Sequence, residues 1–441
     1  MENQSQKLPI LSIVLFITIV TLIHTVSNMV SPNLLTISAY FGFGGDTTPL
    51  GALVSTFTII SGLTMLIFGY LADKLIRKWI VLIGTLNFSF FAFLTILVPP
   101  GVSGFFLFYF LSIMTGIGFG ALVPNIFSLI GDIVSQGDRS KGYSFFSIAT
   151  LVGGIIGIGL ATFTGTIDWR LSYTIIGIAG FISAILFLFF KEPSRIGKDY
   201  SYLIDRDAVD YTYRIKFTDL RVIFKKKANV WLAINFVDTI PTGIILFLLF
   251  AYMEDYHGIP ADEALIYLLL ILLATLVGTI FFGFIGDKRF KKGNKKARVK
   301  LAILGNLVPI PFVFIALIIP FRAPNIFPGI LIMLILFMIG IFANGAVNGN
   351  WYATVVDLNL PEHRGTILST ANFFDIIGRS IGPFLGAVIA DNLGFVYGMM
   401  ISIFFWILIP LFWIPVLRNL VREMDLTEKI FTERLESITK K

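Results

Sequence analysis

Cysteine is absent from the 441 residues, which excludes disulfides, thiolate metal sites and cysteine nucleophiles. Charge is scarce: Lys, Arg, Asp and Glu make up 14% of the chain, against about a quarter in an ordinary soluble domain. Only three histidines occur, none in a His-Glu-x-x-His arrangement, and there is no phosphate-binding loop, which argues against a zinc hydrolase or an ATP-driven pump. No nucleophile stands with a base. No enzymatic activity, metal or cofactor is expected.

What is plentiful is apolar sequence, 56% of the residues, in runs of about 20. That is the length at which a helix rising 1.5 Å per residue crosses ~30 Å of hydrocarbon. The pattern predicts an all-α polytopic membrane protein with twelve transmembrane helices. The spans lie near 9–38, 50–72, 79–98, 105–132, 142–164 and 171–190, then 229–253, 263–285, 300–319, 328–357, 365–390 and 395–417. The first run is too long for a signal-peptide core and lacks a small-residue cleavage site, so it is expected to remain as a helix.

Twelve spans put both termini on one side of the bilayer, and the basic residues choose the side. Of 34 Lys and Arg, 31 fall in the N-terminal segment, the loops after even-numbered spans and the tail. Arg170 and Arg322 lie opposite, and Arg379 lies within span 11. The positive-inside rule then makes both termini cytoplasmic, with the protein in the cell membrane. The net charge of +7 is a topology signal, since a nucleic-acid footprint needs a soluble domain to carry it. The expected organisation is an N-terminal six-helix bundle over 1–190, a cytoplasmic linker over 191–228, a C-terminal six-helix bundle over 229–417 and a tail over 418–441. The linker ends in "FTDLRVIFKKK", which has the composition of an interfacial helix. In the tail, Leu420, Val421, Met424, Phe431, Leu435 and Ile438 recur at helical spacing and predict an amphipathic helix on the cytoplasmic surface.

The halves repeat. An offset of 214 lays "FGYLADKLIRK" (68–78) on "FGFIGDKRFKK" (282–292), so that Gly69 meets Gly283, Asp73 meets Asp287 and Lys74 meets Lys288. An offset of 225 lays Gly120 on Gly345, Ala121 on Ala346, Asn125 on Asn350, Asp132 on Asp357 and Arg139 on Arg364. Two ordered sets at corresponding places indicate duplication. Duplicated six-helix halves in one orientation are the parallel-repeat plan of transporters that bind near the bilayer midplane.

"GYLADKLIRK" resembles the signature loop of the major facilitator superfamily, with Ile76 where a second glycine is usual; "DWR" (168–170) and "KEP" (191–193) are also similar to that superfamily's segments. Within it, "FGFGGDTTPLG", "GIGFGALVPN" and "KEPSR" look most like the spinster-like branch, associated with export of lysolipids and sphingoid lipids. The chain departs from that branch at Phe119, where an acidic residue is frequent, and at Ser27 and Asn28, where an Asp-Arg pair is. The resemblance implies two pseudo-symmetric bundles and alternating access. It also implies a cytoplasmic latch in which Asp73 sits near the start of span 11 and Arg77 and Lys78 reach Asp132. Asp287 and Lys288 would meet Asp357 in the second half, with Gly69 and Gly283 in the loops and Arg139 and Arg364 as anchors. The same charges, taken alone, fix topology and cap helices.

Glycines gather on span 5 (Gly153, Gly154, Gly157, Gly159) and span 11 (Gly378, Gly382, Gly386), a spacing that lets helix backbones approach. The superfamily's span-5 antiporter pattern has a proline where this chain has Ile158.

The midplane polar residues remain. Asp238 lies about nine residues into span 7 and Asp375 about ten into span 11, roughly 14 to 15 Å deep. His24 pairs with Asp238 under the 214 offset. Asn28, Asn125, Asn235, Asn344, Asn348 and Asn350 lie on the spans that line the superfamily's cavity, although asparagines also serve as glue between helices. A charge at midplane costs ~2.5 to 3.5 kcal/mol on the lenient insertion scale, so it is expected to face protein or water and to have a use. If protons drive transport, Asp238 is the expected carrier, with His24 sharing the task. Asp375 and Arg379, four apart on one face, serve either as a structural tie or as a substrate anchor. The sequence thus predicts a monomeric secondary transporter of a small organic, amphiphilic or lysolipid-like solute, with carriers of sugars, organic anions or drugs and a non-transporting receptor or scaffold as rivals.

Overall fold

The structure is a computed structural model that describes residues 2–133, 139–192, 217–360 and 363–439. Helices account for nearly all of it, as apolar segments in a bilayer require, because only internal hydrogen bonding satisfies their backbone there. The chain divides into two compact units, Met1–Arg206 and Asp207–Lys441.

In the first unit the helices are α1 (Glu2–Val26), α2 (Leu34–Phe41), α3 (Thr48–Lys74), α4 (Arg77–Leu94), α5 (Val102–Ile133), α6 (Arg139–Gly165) and α7 (Arg170–Leu188). In the second they are α8 (Phe217–Lys225), α9 (Lys227–Ala233), α10 (Ile240–His257), α11 (Ala261–Lys291), α12 (Ala297–Leu307), α13 (Pro309–Ile318), α14 (Gly329–Asn344), α15 (Ala346–Asp357), α16 (Arg364–Leu393) and α17 (Phe395–Thr439). Among the described residues, eleven helical stretches are long and apolar enough to cross a membrane, and Ala149–Gly165 of α6 is a shorter apolar one.

Four spans are interrupted where the sequence reads as continuous. Span 1 is α1 and α2 with a short 3-10 turn, Ser31–Asn33, between them. Span 7 is α9 and α10, with the turn Phe236–Asp238 between them. Span 9 restarts at Pro309, and span 10 breaks at Gly345 between α14 and α15. Pro241 and Pro309 each sit in the first turn of the helix that follows a break, and Pro32 sits in the 3-10 turn itself, positions where their missing N–H costs nothing.

The units share one packing plan. In the first, α3 and α4 flank α5, α4 meets α7, and α1 lies against α6. In the second, α11 and the α12–α13 pair flank α14–α15, α12 and α13 meet α17, and α10 lies against α16. The contacts that fix this plan are duplicated to the residue. Asn125 Nδ2 donates to Phe68 O (3.4 Å) and to Ala121 O (2.8 Å); Asn350 Nδ2 donates to Phe282 O (3.4 Å) and to Ala346 O (2.8 Å). A side chain at Gly120 would collide with Ser61 and Met65, and one at Gly345 with Thr275 and Thr279. Phe68 and Phe282, Ser61 and Thr275, and Met65 and Thr279 are each 214 residues apart, whereas Ala121 and Ala346 keep the 225 offset of the asparagines themselves.

The tail differs from its sequence reading. It continues the last span as part of a single 45-residue helix through Pro410 and Pro415, and it packs on its own unit. Leu420, Glu423, Met424 and Thr427 are buried. Glu423 accepts the backbone N–H groups of Lys227 and Ala228, each at 3.0 Å, and so caps the start of α9.

Candidate functional site

The interruption of span 7 puts a carboxylate on a turn inside the membrane-spanning part of the second unit. Asp238 ends the 3-10 turn, and Thr239 follows with its Oγ1 2.8 Å from the Asp375 carbonyl and 3.1 Å from the Phe236 carbonyl. Gly378 lets α16 come this close, because a Cβ there would collide with Phe236 O and Thr239. Asn235 Nδ2 lies 3.4 Å from Asp238 Oδ2, and the Asn306 amide of α12, whose Nδ2 donates to Ala302 O at 3.1 Å, lies near the Asp238 carboxylate. Asn344 Nδ2 is 3.3 Å from Asn306 Oδ1, extending the polar line to α14.

On α16, Asn372, Asp375 and Arg379 share one face, spaced three and four apart. The Tyr352 hydroxyl of α15 donates to Asn372 Oδ1 at 3.0 Å. Arg379 Nη2 stands 3.6 Å from Asp375 Oδ2, with the two side chains 54% and 35% exposed. Asp238 and Asp375 are near enough for their charges to interact. The break in span 7, α15 and α16 therefore assemble two carboxylates, one guanidinium, a phenol and the amides of Asn235 and Asn372.

The first unit has a matching but uncharged arrangement. His24 closes the last turn of α1 and stacks edge-on to Phe119, centroids 5.0 Å apart. Ser27 Oγ and Asn28 Nδ2 both donate to the His24 carbonyl, at 2.9 and 2.8 Å. Asn28 thus serves the end of α1, where carbonyls lack intrahelical partners. A small recess lies beside this end, lined by Val26, Val30, Leu53, Phe57, Thr115 and Tyr173 among others. Gly153 and Gly157 of α6 press on Thr21, His24 and Thr25 as Gly378 and Gly382 of α16 press on Phe236, Thr239 and Ile240.

Of the sequence-predicted site residues, Asp238, Asp375 and Arg379 come together, and His24 with Asn28 occupies the matching place in the other unit. Asn125 and Asn350 belong to neither cluster; both are buried and tie neighbouring helices. On the face that carries the basic loops, Arg77 Nε meets Glu192 Oε1 at 3.1 Å, and Glu192 also accepts the backbone N–H groups of Arg77 and Lys78. Asp287 and Asp357 are bridged by Arg298, at 2.6 Å to Asp287, while Lys288 is exposed. Gly69 and Gly283 face open space or only Pro124. The side chains of Asp73, Asp132, Arg139 and Arg364 lie outside the described residues.

Sequence reasoning missed Arg298, Glu423 and Lys226. Arg298 stands in the first turn of α12 as Arg77 stands in the first turn of α4, but the longer loop before it breaks the 214 offset. Lys226 is 9% exposed; its Nζ donates to Leu358 O and Thr427 Oγ1, both at 2.7 Å. Burial pulls its pKa down to about 8, against the opposing pull of the Glu423 charge.

With this geometry in place, the comparisons are specific. The family model of the Major Facilitator Superfamily matches residues 16–373 and 236–430. Protein spinster homolog 1 of Xenopus laevis is 24% identical over 353 residues, 74% of this chain and 63% of that protein. Protein spinster of Drosophila melanogaster is 30% identical over 181 residues, 40% of this chain and 28% of that protein. The matches thus span less than two thirds of these relatives' own length. A crystal structure of a bacterial homolog to the human lysosomal transporter spinster, inward-facing and occupied, superposes with a TM-score of 0.76 at 16% identity, covering 93% of this chain and 97% of the other.

Proposed function

The chain belongs to the Major Facilitator Superfamily, and from that premise we propose that it is a secondary transporter moving a small organic, amphiphilic solute by alternating access. The observation that carries this reading is Asp238 on the broken span 7, hydrogen-bonded by Asn235, near Asn306, and set beside Asp375 and Arg379. Intramembrane charge on unwound backbone is costly and is kept where it lines a solute or ion path. A purely structural span would bury apolar side chains there. The polar end of α1 at His24, just before the matching interruption of span 1, supports the same reading for the equivalent place in the first unit.

The basic residues support an orientation with both termini cytoplasmic in the cell membrane. The solute is favoured to be amphiphilic because aromatic and apolar groups flank the few hydrogen-bonding side chains, as Phe119 does His24 and the Tyr352 ring does Arg379. Coupling protons are assigned to Asp238.

Purified protein screened by thermal shift against lysolipids, sugars, organic anions and cationic drugs is expected to melt higher with its solute. That solute is then expected to accumulate in proteoliposomes when a pH gradient is imposed, and Asp238→Asn is expected to abolish the accumulation. Retained proton-driven uptake in Asp238→Asn removes Asp238 from the coupling, and failure of every solute to bind or move returns the protein to a receptor or scaffold role.

A further inference from the structure

We propose that Arg379 anchors an anionic group of the transported solute, and that Asp375 is the counter-ion it releases when that group arrives. The inference rests on the transporter reading and narrows it to organic anions.

The ion pair is loose. Its one approach is 3.6 Å, whereas a guanidinium and a carboxylate that are matched to each other close two prongs at about 2.7 to 2.9 Å. The arginines that serve as ties in this protein look different. Arg170 reaches Asp168 at 2.7 Å and Val98 O at 2.9 Å with its side chain 24% exposed. Arg298 closes on Asp287 at 2.6 Å, bridges to Asp357 as well, and is 12% exposed. Arg379 is 54% exposed, and among the described residues Asp375 is its single ion-pair partner. Of its five donors, most remain for a second acceptor.

The surroundings suit an anion carried on an apolar body. Tyr352, 46% exposed, holds its hydroxyl on Asn372 and leaves its ring beside the stripe that ends in Arg379. The charged and titratable groups facing Asp375 are Arg379 on its own helix, Asp238 from the turn and Tyr352 from α15. Once Arg379 turns to a solute anion, Asp375 faces Asp238 with no cation beside it. Like charges within reach of each other disfavour ionising both, so one of the two carboxylates takes up a proton. One proton drawn from the aqueous phase then accompanies each monoanion, and the charge entering the site sums to zero.

The test uses octanesulfonate, a permanent monoanion, with octyltrimethylammonium as the cation of equal tail length. Because neither probe titrates, any proton taken up belongs to the protein. Titration calorimetry in two buffers of different ionisation enthalpy, near neutral pH, is expected to show octanesulfonate binding to the unaltered protein with uptake approaching one proton. Asp375→Asn alone frees Arg379, and is expected to bind octanesulfonate at least tenfold more tightly without that uptake. The double variant Asp375→Asn with Arg379→Gln removes both charges; it is expected to keep its melting temperature and lose at least tenfold in affinity. Unchanged affinity in both variants overturns the anchor, as does binding of octyltrimethylammonium in place of octanesulfonate, which leaves the transporter reading standing. Binding of octanesulfonate without proton uptake overturns the exchange with Asp375. If neither probe binds and no solute of the thermal-shift screen does, the transporter reading itself falls.

Discussion

Lys226 holds an ammonium group away from water by giving it the Leu358 carbonyl and the Thr427 hydroxyl, with Glu423 nearby. Burial still disfavours the charge, so its pKa falls from 10.5 to about 8 in the fold. Between those values the unfolded chain binds the proton more tightly than the folded one, and stability therefore rises as pH climbs from about 8 toward 10.5. Lys226→Met has nothing to titrate there. The melting temperature of the unaltered protein is expected to gain on that of Lys226→Met across the window, and a constant gap would show that Lys226 titrates alike in both states. Asn125 and Asn350 make the complementary case, since their amides bridge neighbouring helices instead of a path. Asn125→Ala and Asn350→Ala are each expected to cost about 0.6 to 1.7 kcal/mol, the range for interhelical hydrogen bonds in membranes, read by denaturation in mixed micelles. Transport is expected to persist in both. The sequence located these asparagines, but an amide on a cavity-lining span reads alike whether it faces solute or a neighbour's carbonyl. Asp238, Asp375 and Arg379 stood out in the sequence as candidates because charge in an apolar run has few alternatives to function.

The helices meet along glycine seams that decide how near they come. Gly157 of α6 leaves no room for a Cβ beside the Thr25 backbone, and at Gly382 of α16 a Cβ would lie 2.7 Å from Ile240 O and 2.8 Å from Ile244 N. Gly157→Ala and Gly382→Ala are each expected to destabilise by about 1 to 3 kcal/mol, as overpacking does. Gly159→Ala, with nothing within 4 Å of its Cβ, is expected to be neutral or to stabilise by up to about 1 kcal/mol. Thermal unfolding of the three variants separates the seam from the open face; equal losses at all three positions would dissolve the distinction. The existence and length of the spans were readable from hydropathy, and the seams from glycine spacing. The interruptions were not. Pro32, Pro241 and Pro309 lie at breaks, yet Pro124, Pro383, Pro410 and Pro415 sit inside continuous helices. Neighbouring helices re-satisfy backbone groups in some places and not in others, and a single sequence does not record which.

At the scale of the whole molecule, duplication and the bias of basic residues are the two global facts, and each invites a direct check. The absence of native cysteine makes single-cysteine labelling clean. Lys296→Cys, on the basic face, is expected to resist a membrane-impermeant maleimide in intact cells and to react after permeabilisation, whereas Ala323→Cys is expected to react in intact cells; the reverse pattern would invert the orientation. The repeat was legible where its offset is constant and illegible where a loop lengthens, which is how Arg298 escaped. The tail was readable as an amphipathic helix, but the surface it packs on was not, because an apolar stripe names no partner. Its continuity with the last span has a practical outcome. Forty-five residues in one helix amount to about 68 Å of axial rise, more than twice the hydrocarbon thickness of ~30 Å. With Glu423 on the start of α9 and Lys295 gripping Asp425 and Glu428 at 2.7 and 2.8 Å, the far turns are braced against their own bundle. A marker protein spliced onto those turns in helical register would inherit a fixed orientation, giving particle images of so small a membrane protein a landmark by which to be aligned.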